Sequence, residues 1–182
     1  MKIKYILCSF IVLLLCSNVK AQHILPATKE TLEKLEQFQL HNQSAEAIKV
    51  LDAGIKSTTS PADLAYLYAY QSTIYAAMDS LLTAKRLIDL SMENARKSKS
   101  NVSLAVAYRA KAYLNNMMGI PDAVVKDALT GLKYVENSDE DPATKYHLNY
   151  LLYGAHSKWD AAEKMEKYIR NSQKYAIAAG NI

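Results

Sequence analysis

From residue 27 onward, apolar side chains recur at intervals of three and four, the spacing that lines one face of an α-helix. Ala84, Leu87, Ile88, Ser91 and Ala95 form one such stripe, and Ala162, Met165, Ile169, Ser172 and Ala176 form another. Ahead of both, Leu64, Leu67, Tyr68, Tyr70, Gln71, Ile74 and Tyr75 make a segment that is apolar on more than one side. That is the pattern of a helix packed between two neighbours. Long polar breaks interrupt the stripes at Ser57-Thr58-Thr59-Ser60-Pro61, Lys97-Ser98-Lys99-Ser100-Asn101 and Asn137-Ser138-Asp139-Glu140-Asp141-Pro142. Shorter ones lie at His41-Asn42-Gln43, Asp79-Ser80, Gly119-Ile120-Pro121-Asp122 and Ser157-Lys158-Trp159-Asp160. Proline at a first helical position costs no hydrogen bond, and Ser60 with Asp63, like Ser157 with Asp160, has the form of a capping box. Together these signals predict helices over 27–41, 44–57, 61–78, 80–97, 101–118, 121–136, 142–156 and 158–180.

The helices come in pairs, and the pairs repeat. An aromatic or large apolar residue is followed after eight residues by an alanine in Phe38/Ala47, Tyr75/Ala84, Leu114/Ala123 and Tyr153/Ala162, so the alanines stand 37, 39 and 39 residues apart. Each unit is a helix, a tight turn and a second helix, with the alanines letting the second helix approach closely. The second unit, with Tyr68, Ser72, Tyr75, Ala84, Ile88 and Ser91, resembles the tetratricopeptide repeat. The fourth supplies Tyr146, Tyr150, Tyr153 and Ala162 but has Glu166 where a bulky residue is expected, and the third has Asp127 there. The first supplies Phe38, Ala47, Leu51 and Gly54. The interval exceeds that family's usual period of about 34 residues, which longer helices explain. The resemblance implies an all-α, right-handed solenoid of about four antiparallel helix pairs, with repeats near 28–60, 61–100, 101–141 and 142–180.

Residues 1–21 read differently. Lys2 and Lys4 precede an apolar run over positions 6–16 and then a short polar stretch ending in Val19-Lys20-Ala21, the pattern of a secretory signal peptide cut after Ala21. The run is too short for a membrane-spanning helix, which needs about 20 residues. The expected location is therefore periplasmic or secreted, the alternative being a lipoprotein anchored through Cys16. Cleavage takes three of the 22 basic residues and no acid, leaving 19 Lys and Arg against 18 Asp and Glu. A net charge of +1 offers no broad footprint for nucleic acid. Both cysteines, Cys8 and Cys16, leave as well, so residues 22–182 hold no disulfide and no thiolate ligand.

Motifs for catalysis are lacking: there is no Walker loop, GxGxxG, HExxH or GxSxG. The four histidines never stand three or four apart, so no metal pair is expected. Asp139-Glu140-Asp141 lacks the alternating ligands and central glycine of a calcium loop and reads as the negative charge favoured before a helix starting at Pro142. The clustered tyrosines Tyr68, Tyr75, Tyr150 and Tyr153 fall on packing positions of the repeat. No catalytic residue, cofactor or metal is expected.

What the repeat leaves unspent is the inner wall of the first helices, where the resemblance implies binding of extended peptides or partner helices. By register this wall comprises Glu36 and Gln39, then Tyr66 and Thr73, then Tyr108, Ala112, Asn115 and Asn116, then His147 and Leu151. It lacks the Lys and Asn array with which some members clamp a terminal carboxylate, and Arg109 alone does not replace it. The alternative is a groove that closes on its own chain. The last helix carries an apolar stripe with Met165, Tyr168, Ile169 and Tyr175 and no polar capping helix after it, so this face is expected to meet a partner, a second copy of the chain included. The function expected is a non-catalytic protein-interaction module of the cell envelope. The alternative is the sensory, extracytoplasmic part of a signal-transduction or transcriptional regulator.

Overall fold

The computed structural model describes residues 24–40 and 43–180. The expected leader, His41 and Asn42 lie outside the described residues. The fold is all-helical, with α1 (Pro26–Leu40), α2 (Ser44–Ser57), α3 (Pro61–Ala77), α4 (Leu81–Ser98), α5 (Asn101–Met117), α6 (Pro121–Val135), α7 (Pro142–Ser157) and α8 (Ala162–Ala178). Consecutive helices pack on one another, and the odd-numbered helices α3, α5 and α7 also pack side by side. The result is a solenoid-like stack of four helical hairpins. Among the described residues no helix is long and apolar enough to cross a membrane.

One turn closes every hairpin. A backbone N–H bonds to the carbonyl five residues earlier in Gln43 to Phe38 (2.9 Å), Ser80 to Tyr75 (2.9 Å), Ile120 to Asn115 (3.0 Å) and Ala161 to His156 (3.3 Å). The residue before the donor is left-handed in Asp79 (φ 58°), Gly119 (φ 69°) and Asp160 (φ 49°). This is the Schellman arrangement, which satisfies carbonyls at the end of the first helix, and here its last residue also serves as the N-cap of the second. Glycine at 119 adopts that conformation freely, and aspartate is among the few other residues that tolerate it.

These turns define the true register of the repeat. The first helix–helix bond of each second helix runs from Ala47 to Gln43, Ala84 to Ser80, Val124 to Ile120 and Met165 to Ala161. The equivalent positions are thus Phe38/Ala47, Tyr75/Ala84, Asn115/Val124 and His156/Met165. The sequence alignment is one residue early in the third unit and three early in the fourth. Ala162 is exposed and Ala123 only half-buried, whereas Val124 is buried. The shift also removes the two apparent mismatches, because Ala128 and Ile169, not Asp127 and Glu166, now align with Leu51 and Ile88.

Three residues further along, every second helix carries a small residue: Gly54, Ser91, Gly131 and Ser172. There the second helix crosses a first helix closely. A Cβ on Gly131 would lie 3.1 Å from Leu148 and 3.2 Å from Tyr108, and the Ser91 hydroxyl donates to the Ala65 carbonyl at 2.8 Å. The core runs along these crossings. Leu35, Ala47, Leu51 and Leu67 form its first part, Ala65, Ala69, Ala84, Ile88, Val106 and Ala110 its centre, and Val124, Ala128, Leu148 and Leu152 its last part.

Caps hold the starts of the first helices. Ser60, Ser100 and Asp141 accept from the N–H groups of Asp63, Ser103 and Thr144, and Pro61 and Pro142 occupy first helical positions. Asp63, expected to reach back to Ser60, instead ties the start of α1 to α3, its carboxylate accepting from the Leu25 N–H at 2.8 Å, while the Ser60 N–H donates to the Thr58 hydroxyl. The second expected box is not used as a cap. The Ser157 hydroxyl donates to the Gly154 carbonyl, and α8 starts at Ala162, four residues after the expected start at 158, without a side-chain cap.

The stripe on α8 is turned to α7. Tyr168 stacks on His156, ring centroids 5.4 Å apart, Tyr175 lies under the Lys145 ammonium, and the Ser172 hydroxyl donates to the Tyr146 carbonyl. Met165 and Ile169 are half-buried on the same side. The face expected to meet a partner is thus half-buried against α7, the one helix that α8 packs on among the described residues.

Candidate functional site

The first helices of all four hairpins meet at one cleft. Phe38 of α1, Tyr70, Thr73, Ile74 and Ala77 of α3, Arg109, Tyr113 and Asn116 of α5, and Tyr146, His147, Tyr150 and Leu151 of α7 surround a volume of about 510 Å³, closed on one side by Gln43, Ser44 and Ala47. On each helix these residues follow helical spacing, so a single face points inward. Tyr146, Tyr150 and Tyr153 form a ladder of tilted rings with centroids 6.3 and 6.1 Å apart. Tyr150 is 52% exposed, so this tyrosine is a cleft residue and not the core residue the repeat pattern suggests.

Of the expected wall, Thr73, Asn116, His147 and Leu151 line the cleft. The backbone of Glu36 and Gln39 lies in α1, but their side chains lie outside the described residues. Tyr108, Ala112 and Asn115 belong to other surroundings. Tyr108 stacks on Tyr134 of α6 with centroids 5.8 Å apart, Ala112 is fully buried, and the Asn115 amide donates to Asp127 at 2.8 Å. Asp127 is also paired with Lys111 at 3.0 Å. The one-residue error in the third unit is the reason, since one residue rotates a helix face by about 100°. The correct register brings Arg109, Tyr113 and Asn116 inward in place of Tyr108 and Asn115.

Tyr66 is likewise buried and turned elsewhere. Its hydroxyl donates to Asp141 Oδ2 at 3.1 Å, joining the second hairpin to the fourth across a smaller cavity lined also by Lys29, Ser100 and Glu140. Burial, reinforced by the adjacent Asp141 carboxylate, raises the Tyr66 phenol well above its usual range. Asp141 accepts as well from the Thr144 N–H (2.9 Å) and hydroxyl (2.8 Å). Thr144 in turn accepts from Arg109 Nη1 at 3.4 Å, and the same nitrogen reaches the Tyr70 hydroxyl at 3.4 Å. A polar chain thus runs under the cleft from Tyr66 to Arg109.

Arg109 is 6% exposed and stands 4.5 Å from the centre of the Tyr70 ring. Burial works against its charge, but Tyr70 and Asp141 outweigh it and hold the guanidinium protonated. It is the sole charged group among the described lining residues. His147, exposed by area yet walled in by the cleft, is pushed down to about 3 by desolvation first and the Arg109 charge second, so at neutral pH its imidazole is uncharged. Among the described residues no group of three or more His, Cys, Asp or Glu side chains is assembled to hold a metal ion.

Sequence reasoning missed Tyr70, Tyr113 and Tyr146 and set Arg109 aside. The i, i+4, i+7 spacing of Arg109, Tyr113 and Asn116 carried the signal, and Gly119 marked the turn that fixes their register. The site so defined is a concave, aromatic-walled cleft of a helical-hairpin stack. Compared with protein families, curated proteins and solved structures, the chain matches none of them.

Proposed function

We propose that this chain is a non-catalytic interaction module of tetratricopeptide-repeat type that works outside the cytoplasm and receives part of a partner polypeptide in its concave cleft. The observation that carries this reading is the convergence of four first helices on one cleft that keeps several polar and aromatic side chains open. Asn116, Tyr150 and His147 are exposed there, and rigid amphipathic tyrosines supply contact area at small entropic cost. The recurring turn and the small residues at 54, 91, 131 and 172 support the repeat assignment. The leader pattern at Lys2, Lys4 and positions 6–16 supports export.

The test is site-specific photocrosslinking in the producing cell. A photoreactive side chain at Asn116, inside the cleft, is expected to give a discrete adduct with a partner protein, and one at Glu93 on the exposed face of α4 is expected to give none. The same pattern from both positions would refute the cleft as the docking face. A second reading, the sensory part of a regulator, draws on the volume of the cleft, which falls within the range of small-ligand sites.

A further inference from the structure

We propose that the cleft is a binding site for a small aromatic carboxylic acid, with the carboxylate on the free edge of Arg109 and the ring among Tyr113, Tyr146 and Tyr150. This goes beyond the interaction-module reading and shares with it only the cleft.

The argument begins with Arg109. Of its three nitrogens, Nη1 alone has hydrogen-bond partners among the described residues, namely the Tyr70 and Thr144 oxygens. Nε and Nη2 have none, yet neither is among the buried polar atoms left without a partner, Ser103 Oγ, Asn149 Oδ1 and His156 Nδ1. They are therefore reachable from outside, and the space Arg109 lines is this cleft. A guanidinium more than nine-tenths buried, 4.5 Å from the Tyr70 ring centre, lining a cavity and with two adjacent donors unpartnered, suits a carboxylate taken in a paired fork.

The remaining walls specify the rest of the ligand. No acidic side chain is among the described lining residues. Nor is a second Lys or Arg among them, so a single negative charge is matched and a phosphate dianion is not. Phe38, Tyr113, Tyr146 and Tyr150 line the same volume, and stacked or tilted aromatic pairs gain beyond the area they bury. Asn116, Thr73 and His147 add polar contacts at the rim. At about 510 Å³ the space is within the range that takes one small molecule.

The test is calorimetric titration of the purified protein with 3-phenylpropionate and with its neutral amide. The acid is expected to bind at least about tenfold more tightly, because the amide cannot form the charge-assisted fork, and its advantage is expected to shrink with added salt. Equal affinities, or no heat from the acid up to its solubility limit, would overturn the proposal. A third probe, an acetylated tripeptide ending in phenylalanine with a free carboxyl group, separates the source of the carboxylate. Tenfold tighter binding of that peptide than of 3-phenylpropionate would overturn the small-molecule assignment while leaving the polypeptide reading intact. Arg109→Gln is expected to abolish the preference for acid over amide. Should that variant fail to fold, Tyr150→Ala, at an exposed ring, is expected to weaken the acid by about fivefold or more, on the scale of a lost aromatic contact, and an unchanged affinity would count against the pose.

Discussion

Gly131 offers a quantitative test of the hairpin packing, because the same substitution can be made at Gly154, where the surroundings are open. In a helix interior, replacing glycine by alanine gains about 0.8–1 kcal/mol through backbone entropy. At Gly154 nothing lies within 4 Å of the new methyl, so the full gain is expected. At Gly131 the methyl would meet Leu148 Cδ1 at 3.1 Å, Leu148 Cδ2 at 3.2 Å and Tyr108 Cβ at 3.2 Å. Tyr108 Cβ moves only with the α5 backbone, and Leu148 is fully buried, so neither can give way cheaply. Overpacking of this kind costs about 1–3 kcal/mol, which outweighs the propensity gain. Gly131→Ala is expected to destabilise by about 1 kcal/mol and lower Tm by about 2–4 °C, and Gly154→Ala to raise Tm by a similar amount. Thermal unfolding followed by circular dichroism, with urea melts as a second probe, reads both. A Gly131→Ala protein as stable as Gly154→Ala would refute the close crossing of α6 over α5 and α7.

Ala84 holds the position of the second hairpin that Val124 holds in the third and is fully buried, so Ala84→Leu is expected to cost about 1–3 kcal/mol, whereas Ala162→Leu, on an exposed position, should leave the urea midpoint unchanged. Asp141 caps α7 and accepts from Tyr66 and Thr144. Asp141→Ala should therefore lose about 1 kcal/mol for the cap and a further 1–3 kcal/mol for the Tyr66 hydroxyl left buried without a partner, and Tyr66→Phe in that background should restore part of the loss. His147 is held below its unfolded value of 6.5, so the folded state disfavours its proton. Its contribution to stability is complete above pH 6.5 and is lost as the pH falls through 6.5 toward 3. The stability of His147→Gln relative to the parent should accordingly improve between pH 7 and pH 5, and its ring should show no protonation shift by NMR over that range; an ordinary titration near 6.5 would contradict the walled-in position.

Helix positions, the pairing into hairpins and the caps at Ser60 and Asp141 were legible in the amino-acid sequence because each depends on residues within one or two turns of each other. Periodicity in α4 is such a case: Ala84, Leu87, Ile88, Ser91 and Ala95 are all buried, as their spacing requires. The repeat register was only half legible. A pattern of one aromatic and one alanine tolerates a slip of one or three residues, and the turn that removes the ambiguity rests on the left-handed residues Asp79, Gly119 and Asp160, of which only the glycine announces itself.

Tertiary structure alone decided which faces become the cleft and which are consumed. The stacking of α3, α5 and α7, with α1 closing the end, sets the curvature, and curvature determines whether side chains on successive first helices converge or diverge. It brought Arg109 beneath a shared cavity with Tyr113, Tyr146 and Tyr150, and it turned Tyr66 away to Asp141, 75 residues along the chain. It also gave the α8 stripe a neighbour in α7. Local sequence rules see the helix and its two faces, but a face becomes core, cleft or surface only when a second helix, distant along the chain, arrives against it.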